Sequence, residues 1–346
     1  MGAWVAQSFY WHWRYTMDPQ FLKERAYPYC SGVAEALVGL MNPDNNGNLK
    51  LALSSSPEIH NNTQRAWLTP NSNFDLSLIR WIFEANAEMA TALNMEKDAI
   101  RWQDLLAKMD NLAVAGDGGP LLVSPDEPLT ESHRHFSHLM AIHPLGMLNV
   151  EGSDRDRMII KASLEQIDSL GSKFWCGYSF SWMACMRARI GQADQALENL
   201  YDYLDCTLQN GFHVNGPQTR KELSNYSNMR AFTLEGNFAA SQAVHEMLLQ
   251  SWGDRIRIFP AMPEKWADAS FHQLRAEGGF IVDAERKGGK TVKVKITASV
   301  EQPLRLKDPF GKQNYETNIE LERDESGDLL CNLKKGQTLF LTVNEN

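Results

Sequence analysis

In the stretch Arg187–Leu200, "RARIGQADQALENL", a single glycine separates two helical patterns. Gly191 can take the left-handed backbone that ends a helix, and the apolar positions resume at helical spacing within two residues. The spacing predicts helices over 178–190 and 193–209. A link this short folds the second helix back along the first, so the unit is an antiparallel helix hairpin.

The same grammar extends toward the N-terminus. Helices are expected over 3–16 and 19–41, joined at Asp18-Pro19, then over 74–93, 96–112 and 154–170. The helix at 74 has Asn73 or Asp75 near its cap. Long polar segments at 42–73, 114–133 and 211–236 read as loops, and loops of that length are usually functional. The last strong helix is "NFAASQAVHEMLLQ", 237–250. Beyond it, apolar and polar residues alternate, with Gly-Gly turns at 278–279 and 288–289, which is hairpin patterning. The chain therefore reads as mainly α: an incomplete α/α toroid of helix hairpins over 1–252, followed by an antiparallel, sandwich-like β domain over 253–346. A stack of helical repeats is the rival architecture, but no fixed-period repeat is visible.

Composition narrows the function. The 346 residues carry 34 basic and 43 acidic side chains, a net charge of −9, which disfavours nucleic acid as a partner. Five scattered cysteines show no disulfide or zinc spacing. No apolar run approaches the ~18 residues of a membrane span. Ten tryptophans beside many polar side chains suit a saccharide, whose ring face stacks while its hydroxyls bond. Each tryptophan taken singly also fits a core position.

Three polar clusters fall where loops meet helices. In the first, Pro57 stiffens the backbone before Glu58, with Asn61, Asn62 and Trp67 following. A carboxyl shielded there would favour its protonated form and could serve as a general acid. From the residues alone a solvated loop glutamate is the favoured reading. The second is "HRHFSH", His133–His138, with His143-Pro144 beyond. His135 and His138 have metal-ligand spacing, but no cysteine or paired carboxylate accompanies them and Arg134 would repel a cation. No metal or other cofactor is therefore expected, and Arg134 and His135 read as contacts for sugar hydroxyls or as orienters of a carboxylate. The third is "RAFTLEGNF", Arg230–Phe238. Glu235 and Asn237 fall at a helix start, where the dipole favours an anion, which suits a base. A capping role has equal physical justification. One protonated and one ionised carboxyl about 6.5–9.5 Å apart are the equipment of inverting glycoside hydrolysis, and Glu58 and Glu235 are the candidates.

At these residues the chain resembles glycoside hydrolase family 95, the inverting α-L-fucosidase family that also holds α-L-galactosidases. "GAWVAQSFYWHWRYTMDPQFLKERAYP" is similar to the family's helix pair and "SSSPE" (54–58) to its acid-bearing loop. "HRHFSHLMAIHP" resembles its "HRHxSHLxxLxP" segment, and "GYSFSWMACMRARIGQADQA" its "GWSxAWxxxxxARLxdxxxA". "EGNFAASQAVHEMLLQS" resembles "DGNFGxxxGxxEMLLQS", and "IRIFPAMPEKWADASFHQLRAEGGFIVD" matches a further family segment, so the likeness runs from residue 2 to about 300. The resemblance implies an (α/α)6 barrel with a C-terminal β domain. It implies Glu58 as general acid, Glu235 at the base position, and Arg134, His135, Asn237 and Trp67 toward an oligosaccharide or glycoconjugate substrate. It also implies a secreted or periplasmic parent protein.

Two departures stand out. The family has Asp where this chain has Glu235, and a histidine where it has Met229. The family's W-N-x-N segment, whose asparagines help activate the water, is not found, so the expectation is a truncated catalytic region partnered by a missing N-terminal part. These departures motivate the alternative of a catalytically impaired carbohydrate-binding or scaffold fragment.

Overall fold

The computed structural model describes residues 2–61 and 63–344, so Asn62 lies outside the described residues. Helix α1 (Gly2–Thr16) is followed by a short α2 (Pro19–Phe21), a π-helical segment (Leu22–Ala26) and α3 (Tyr27–Leu40). The single helix expected over 19–41 is thus interrupted. Pro28 can contribute no backbone N–H to the helical ladder, and the wider turn lies just before it. The long segment after α3 is not all loop. It contains the hairpin β1 (Met41–Pro43) and β2 (Leu49–Leu51), and an antiparallel bridge between Ser54 and Leu68.

Two hairpins then carry the helical logic. Helix α4 (Asn73–Ala92) turns through Asn94, in the left-handed region at φ 57°, into α5 (Glu96–Ala107). The cap of α4 is Ser72, one residue before the expected position, and its hydroxyl accepts from the Asp75 amide. After α6 (Asp154–Leu170), whose start is a Ser153/Asp156 capping box, α7 (Gly177–Arg189) turns through Gly191 at φ 77° into α8 (Ala193–Asp205). Helix α7 is buried on nearly every side, whereas α8 buries only Ala196, Leu197, Leu200 and Tyr203. Likewise α4 is buried around most of its circumference and α5 only at Ala99 and Trp102. A helix apolar all round lies between neighbours, and a striped helix covers it from outside. Both hairpins therefore pair an inner with an outer helix. Helices α5 and α8 end earlier than the pattern predicts. Beyond α8 the backbone leaves the helix at Cys206 so that Thr207 can bridge His213.

Helix α9 (Glu235–Leu248) packs against α7 and leads into β3 (Leu249–Gln250), β4 (Arg257–Ile258), β5 (Ala269–Ala276), β6 (Phe280–Lys287) and β7 (Lys290–Ala298). The strands β8 (Gln302–Leu306), β9 (Tyr315–Thr317), β10 (Glu322–Arg323), β11 (Leu329–Leu333) and β12 (Thr338–Val343) complete the chain. One sheet runs β5-β6-β7-β12-β9 and another β10-β11-β8, antiparallel throughout. Val282, Val294, Ile296, Leu339 and Leu341 of the first sheet share a core with Leu304, Leu306, Leu329 and Leu333 of the second. The Gly-Gly pairs at 278–279 and 288–289 sit in the connections between β5, β6 and β7 at positive φ, as their spacing predicts.

Arg14 joins the two parts. Its guanidinium pairs with Glu88 of α4 and with Asp254 and Glu277 of the β part. Among the described residues no helix is long and apolar enough to cross a membrane.

Candidate active site

The three serines before Pro57 explain where Glu58 sits. Ser54 Oγ and the Ser55 amide both donate to the Asp75 carboxylate at the start of α4, at 2.8 and 3.0 Å. Ser56 Oγ meets Ser137 Oγ at 2.6 Å in a fully buried contact. That contact ties the "SSSPE" loop to the "HRHFS" segment across 81 residues of sequence. Ile59, buried, anchors the far side of the turn. Glu58 itself lies at φ 58°, a backbone region that side-chain-bearing residues adopt at a cost and that concentrates at functional positions.

The resulting cluster is polar and compact. Arg134 forms an ion pair with Glu58 through Nη2, and His135 Nε2 lies 2.9 Å from the same carboxylate oxygen. Arg134 Nη1 donates to the Tyr226 hydroxyl at 2.8 Å, and its carbonyl accepts from Ser179 Oγ of α7 at 2.8 Å. Burial lowers the His135 pKa, against the raising effect of Glu58, so the imidazole is neutral at pH 7. With the Nε2 proton assigned from this network, His135 donates to Glu58. The Glu58 side chain is 45% exposed, so the loop presents it more openly than the shielded position expected of it. Trp67, 58% exposed, stands beside the Ser54–Leu68 bridge that returns the chain to this loop.

Phe136 points the other way, into an edge-on aromatic cluster with Trp175 and Trp182, and so fixes the segment that displays Arg134 and His135. His138 and His143 are buried, and burial pulls each to about 3 and keeps it neutral. No group of three or more His, Cys, Asp or Glu side chains among the described residues could hold a metal.

Glu235 is the first residue of α9, and the capping position belongs to Leu234, which makes no side-chain bond. Its carboxylate has no hydrogen bond or ion pair among the described residues. It borders a cavity of about 450 Å³ lined by Trp4, Trp11, Tyr178, Trp182, Phe238 and Gln242 among others. A second cavity of about 320 Å³ shares Trp11, His143, Pro144 and Gln242 with the first and runs on toward Glu88 and Glu277. Asn237 is engaged structurally: its Oδ1 accepts from the His213 amide at 3.1 Å, and its Nδ2 donates to the Gly211 carbonyl at 2.8 Å. Met229 is exposed and its amide donates to the carbonyl of Tyr226, Arg134's partner, three residues before it.

Helix α7 holds the two clusters together. Ser179 in its first turn binds the Arg134 carbonyl, and Ser181 donates to the Gly236 carbonyl beside Glu235 at 3.2 Å. Sequence reasoning missed Tyr226, the Ser56–Ser137 contact and both serines of α7. The signal for the α7 serines was faint: polar residues on a helix with no exposed face must find partners.

A loop carboxylate beside arginine and histidine, and a helix-start carboxylate beside an aromatic-lined cavity, are groups of the kind that glycosidases use. The comparisons agree. The model for the glycosyl hydrolase family 95 catalytic domain matches residues 1–248, and that for the family's C-terminal domain matches residues 250–341. The chain belongs to glycoside hydrolase family 95. It is similar to alpha-L-fucosidase 2 of Arabidopsis thaliana, 28% identical over 84% of this chain and 35% of the relative. It is also similar to a probable alpha-fucosidase A of Aspergillus niger, 24% identical over 81% of this chain and 36% of the relative. The chain thus spans about a third of the length of the curated relatives it matches. In fold it resembles the α-L-rhamnosidase of Streptomyces avermitilis solved with L-rhamnose, at TM-score 0.52 and 15% identity, covering 99% of this chain and 32% of that one. The α-L-rhamnosidase of Dictyoglumus thermophilum gives TM-score 0.50 and 12% identity, over 97% and 39%.

Proposed function

We propose that this chain forms the C-terminal part of the catalytic region of an inverting α-L-fucosidase, with α-L-galactosides as the related substrate class. Glu58 protonates the glycosidic oxygen and Glu235 takes the proton from the attacking water. Arg134, His135 and Trp67 face the sugar, and Asn237 holds the base-bearing turn. The observation that carries the reading is that one helix, α7, ties two carboxylate-bearing segments together. Ser179 binds the carbonyl of Arg134, whose guanidinium pairs with Glu58, and Ser181 binds the Gly236 carbonyl beside Glu235, which borders an aromatic-lined cavity.

The inner and outer helices would belong to an (α/α)6 ring whose remaining hairpins come from further polypeptide, in a secreted or periplasmic parent. The β domain, 253–346, would brace the ring through Arg14. The extra methylene of Glu235 relative to aspartate reshapes the water position, which favours a sugar or linkage other than the simplest fucoside.

The test is release of L-fucose or L-galactose from aryl α-L-glycosides by the full natural polypeptide that carries this sequence. Proton NMR of the first product should show the inverted anomer. Glu58→Gln and Glu235→Gln should each lower kcat by about 100-fold or more, with azide or a better leaving group rescuing only the variant that matches its role. No release from any α-L-glycoside would refute the proposal.

A further inference from the structure

The His213 ring occupies an unusual place. It is fully buried, and it lies between the first turns of two helices, where both neighbours are glycine. A Cβ at Gly177, the first residue of α7, would fall 2.2 Å from His213 Nε2. A Cβ at Gly236, the second residue of α9, would fall 2.4 Å from Nδ1. The ring thus acts as a spacer between two backbones that only glycine allows to approach it.

Its polar atoms reach the turn that carries Glu235. Nδ1 lies 2.7 Å from both the carbonyl and the hydroxyl of Thr233. Because a carbonyl only accepts, the proton is assigned to Nδ1. The Thr233 hydroxyl in turn donates to Asn215 Oδ1 at 2.9 Å. The His213 amide donates to Asn237 Oδ1, and the Thr233 amide donates back to the His213 carbonyl at 3.3 Å. Residues on both sides of Glu235 are therefore bound to one histidine. Among the described residues Nε2 has no partner, and it lies against Gly177.

We infer that His213 is a positioning residue for the base-position carboxylate: its ring, clamped between Gly177 and Gly236, sets Glu235 relative to the α7 end that holds Arg134. The inference rests on the reading of Glu235 as the base. The link to Arg134 is direct, because α7 begins at Gly177 and binds the Arg134 carbonyl two residues later through Ser179. A shift of the ring would move the two halves of the site against each other, and misplacement on the scale of an ångström is costly in catalysis.

The test compares His213→Asn, whose Nδ2 falls where Nδ1 was and can still donate to Thr233, with His213→Leu, which fills space without donating. Gly236→Ala presses on the ring from the opposite side. In the Leu and Ala variants, the hydrogen-bonded backbone amides of Thr233 and Asn237 should exchange with solvent about tenfold faster or more, while the β5–β7 amides stay unchanged. On an aryl α-L-fucoside, the full natural polypeptide carrying Leu should lose about 10- to 100-fold in kcat with KM within about twofold. The Asn variant should stay within about threefold of wild type in both measurements. Wild-type exchange at Thr233 and Asn237 in the Leu variant overturns the inference, as does an Asn variant that falls as far as Leu. If the polypeptide cleaves no fucoside, the exchange measurement still decides the positioning role, and it is the assignment of function that fails. If the Leu variant does not fold, the Asn and Gly236→Ala variants decide it.

Discussion

Glu277 should make the molecule less stable as the pH rises. Its side chain is 12% exposed and, among the described residues, bonded only to Arg14 Nε, at 3.3 Å, where the β part meets α1. Burial pushes its carboxyl from 4.5 up to about 7, despite the opposing charges of Arg14 and Arg189, with Asp254 adding to the rise. The folded value lies above the unfolded one. The native state therefore binds the proton more tightly, and this contribution is complete below about pH 4.5 and lost as the pH climbs through about 7. At about 1.4 kcal/mol for each tenfold change in ionisation, the rise corresponds to about 3 kcal/mol. Glu277→Gln keeps the shape and an acceptor for Arg14, which retains Glu88 and Asp254 as counter-charges. The variant should match wild type near pH 4.5 and exceed it by about 2–3 kcal/mol at pH 8 in urea unfolding. A Gln variant that is less stable than wild type at pH 8 would refute the reasoning, because the ion pair would then outweigh the burial of charge.

Two further outcomes follow from other contacts. Ser137→Ala leaves the buried Ser56 hydroxyl without its partner and should cost about 1–2 kcal/mol while lowering kcat through a loosened Glu58 turn; adding Ser56→Ala should restore part of the stability but not the rate, as thermal unfolding and kinetics would show. Gln7 is buried with both amide atoms unpartnered among the described residues, so Gln7→Met should raise unfolding stability by about 1–2 kcal/mol, and a loss of stability would mean that the amide has a partner in solution.

The helices were legible because their signal is local. Gly191 at φ 77° and the Ser153/Asp156 box are read from a few adjacent residues. The Gly-Gly hairpins were legible for the same reason. The interrupted helix at 22–26 was not, because the apolar spacing of "FLKERAYPYC" runs on through the π-helical segment and only the position of Pro28 hints at a break. The site was legible as separate motifs and not as a site. Glu58, Arg134 and Glu235 announce themselves by type and by the turns around them. Their assembly depends on Ser56 meeting Ser137, Ser179 meeting the Arg134 carbonyl and His213 lying between two glycines. Each of these is a long-range contact between small or buried groups, and spacing along the chain carries no trace of it. The choice between base and cap for Glu235 was open in sequence for a related reason. One residue separates the capping position from the first helical position, and only the backbone tells them apart.

The ion pair between Arg134 and Glu58 constrains how the proposed acid can work. A guanidinium favours the ionised partner, and a general acid must arrive carrying a proton. The two demands are reconciled if the substrate competes for Arg134. A guanidinium fork binds oxygen acceptors well, and the hydroxyls of a pyranose supply them in adjacent pairs. Tyr226 already holds one nitrogen of Arg134, so the group can pivot about that bond while the other nitrogen leaves Glu58 for the sugar. His135, neutral and bonded to the same carboxylate oxygen, would then be the remaining partner of Glu58. On this account the proposed acid becomes competent only with sugar in place, and the segment from Tyr226 to the proposed base, Glu235, carries the pivot.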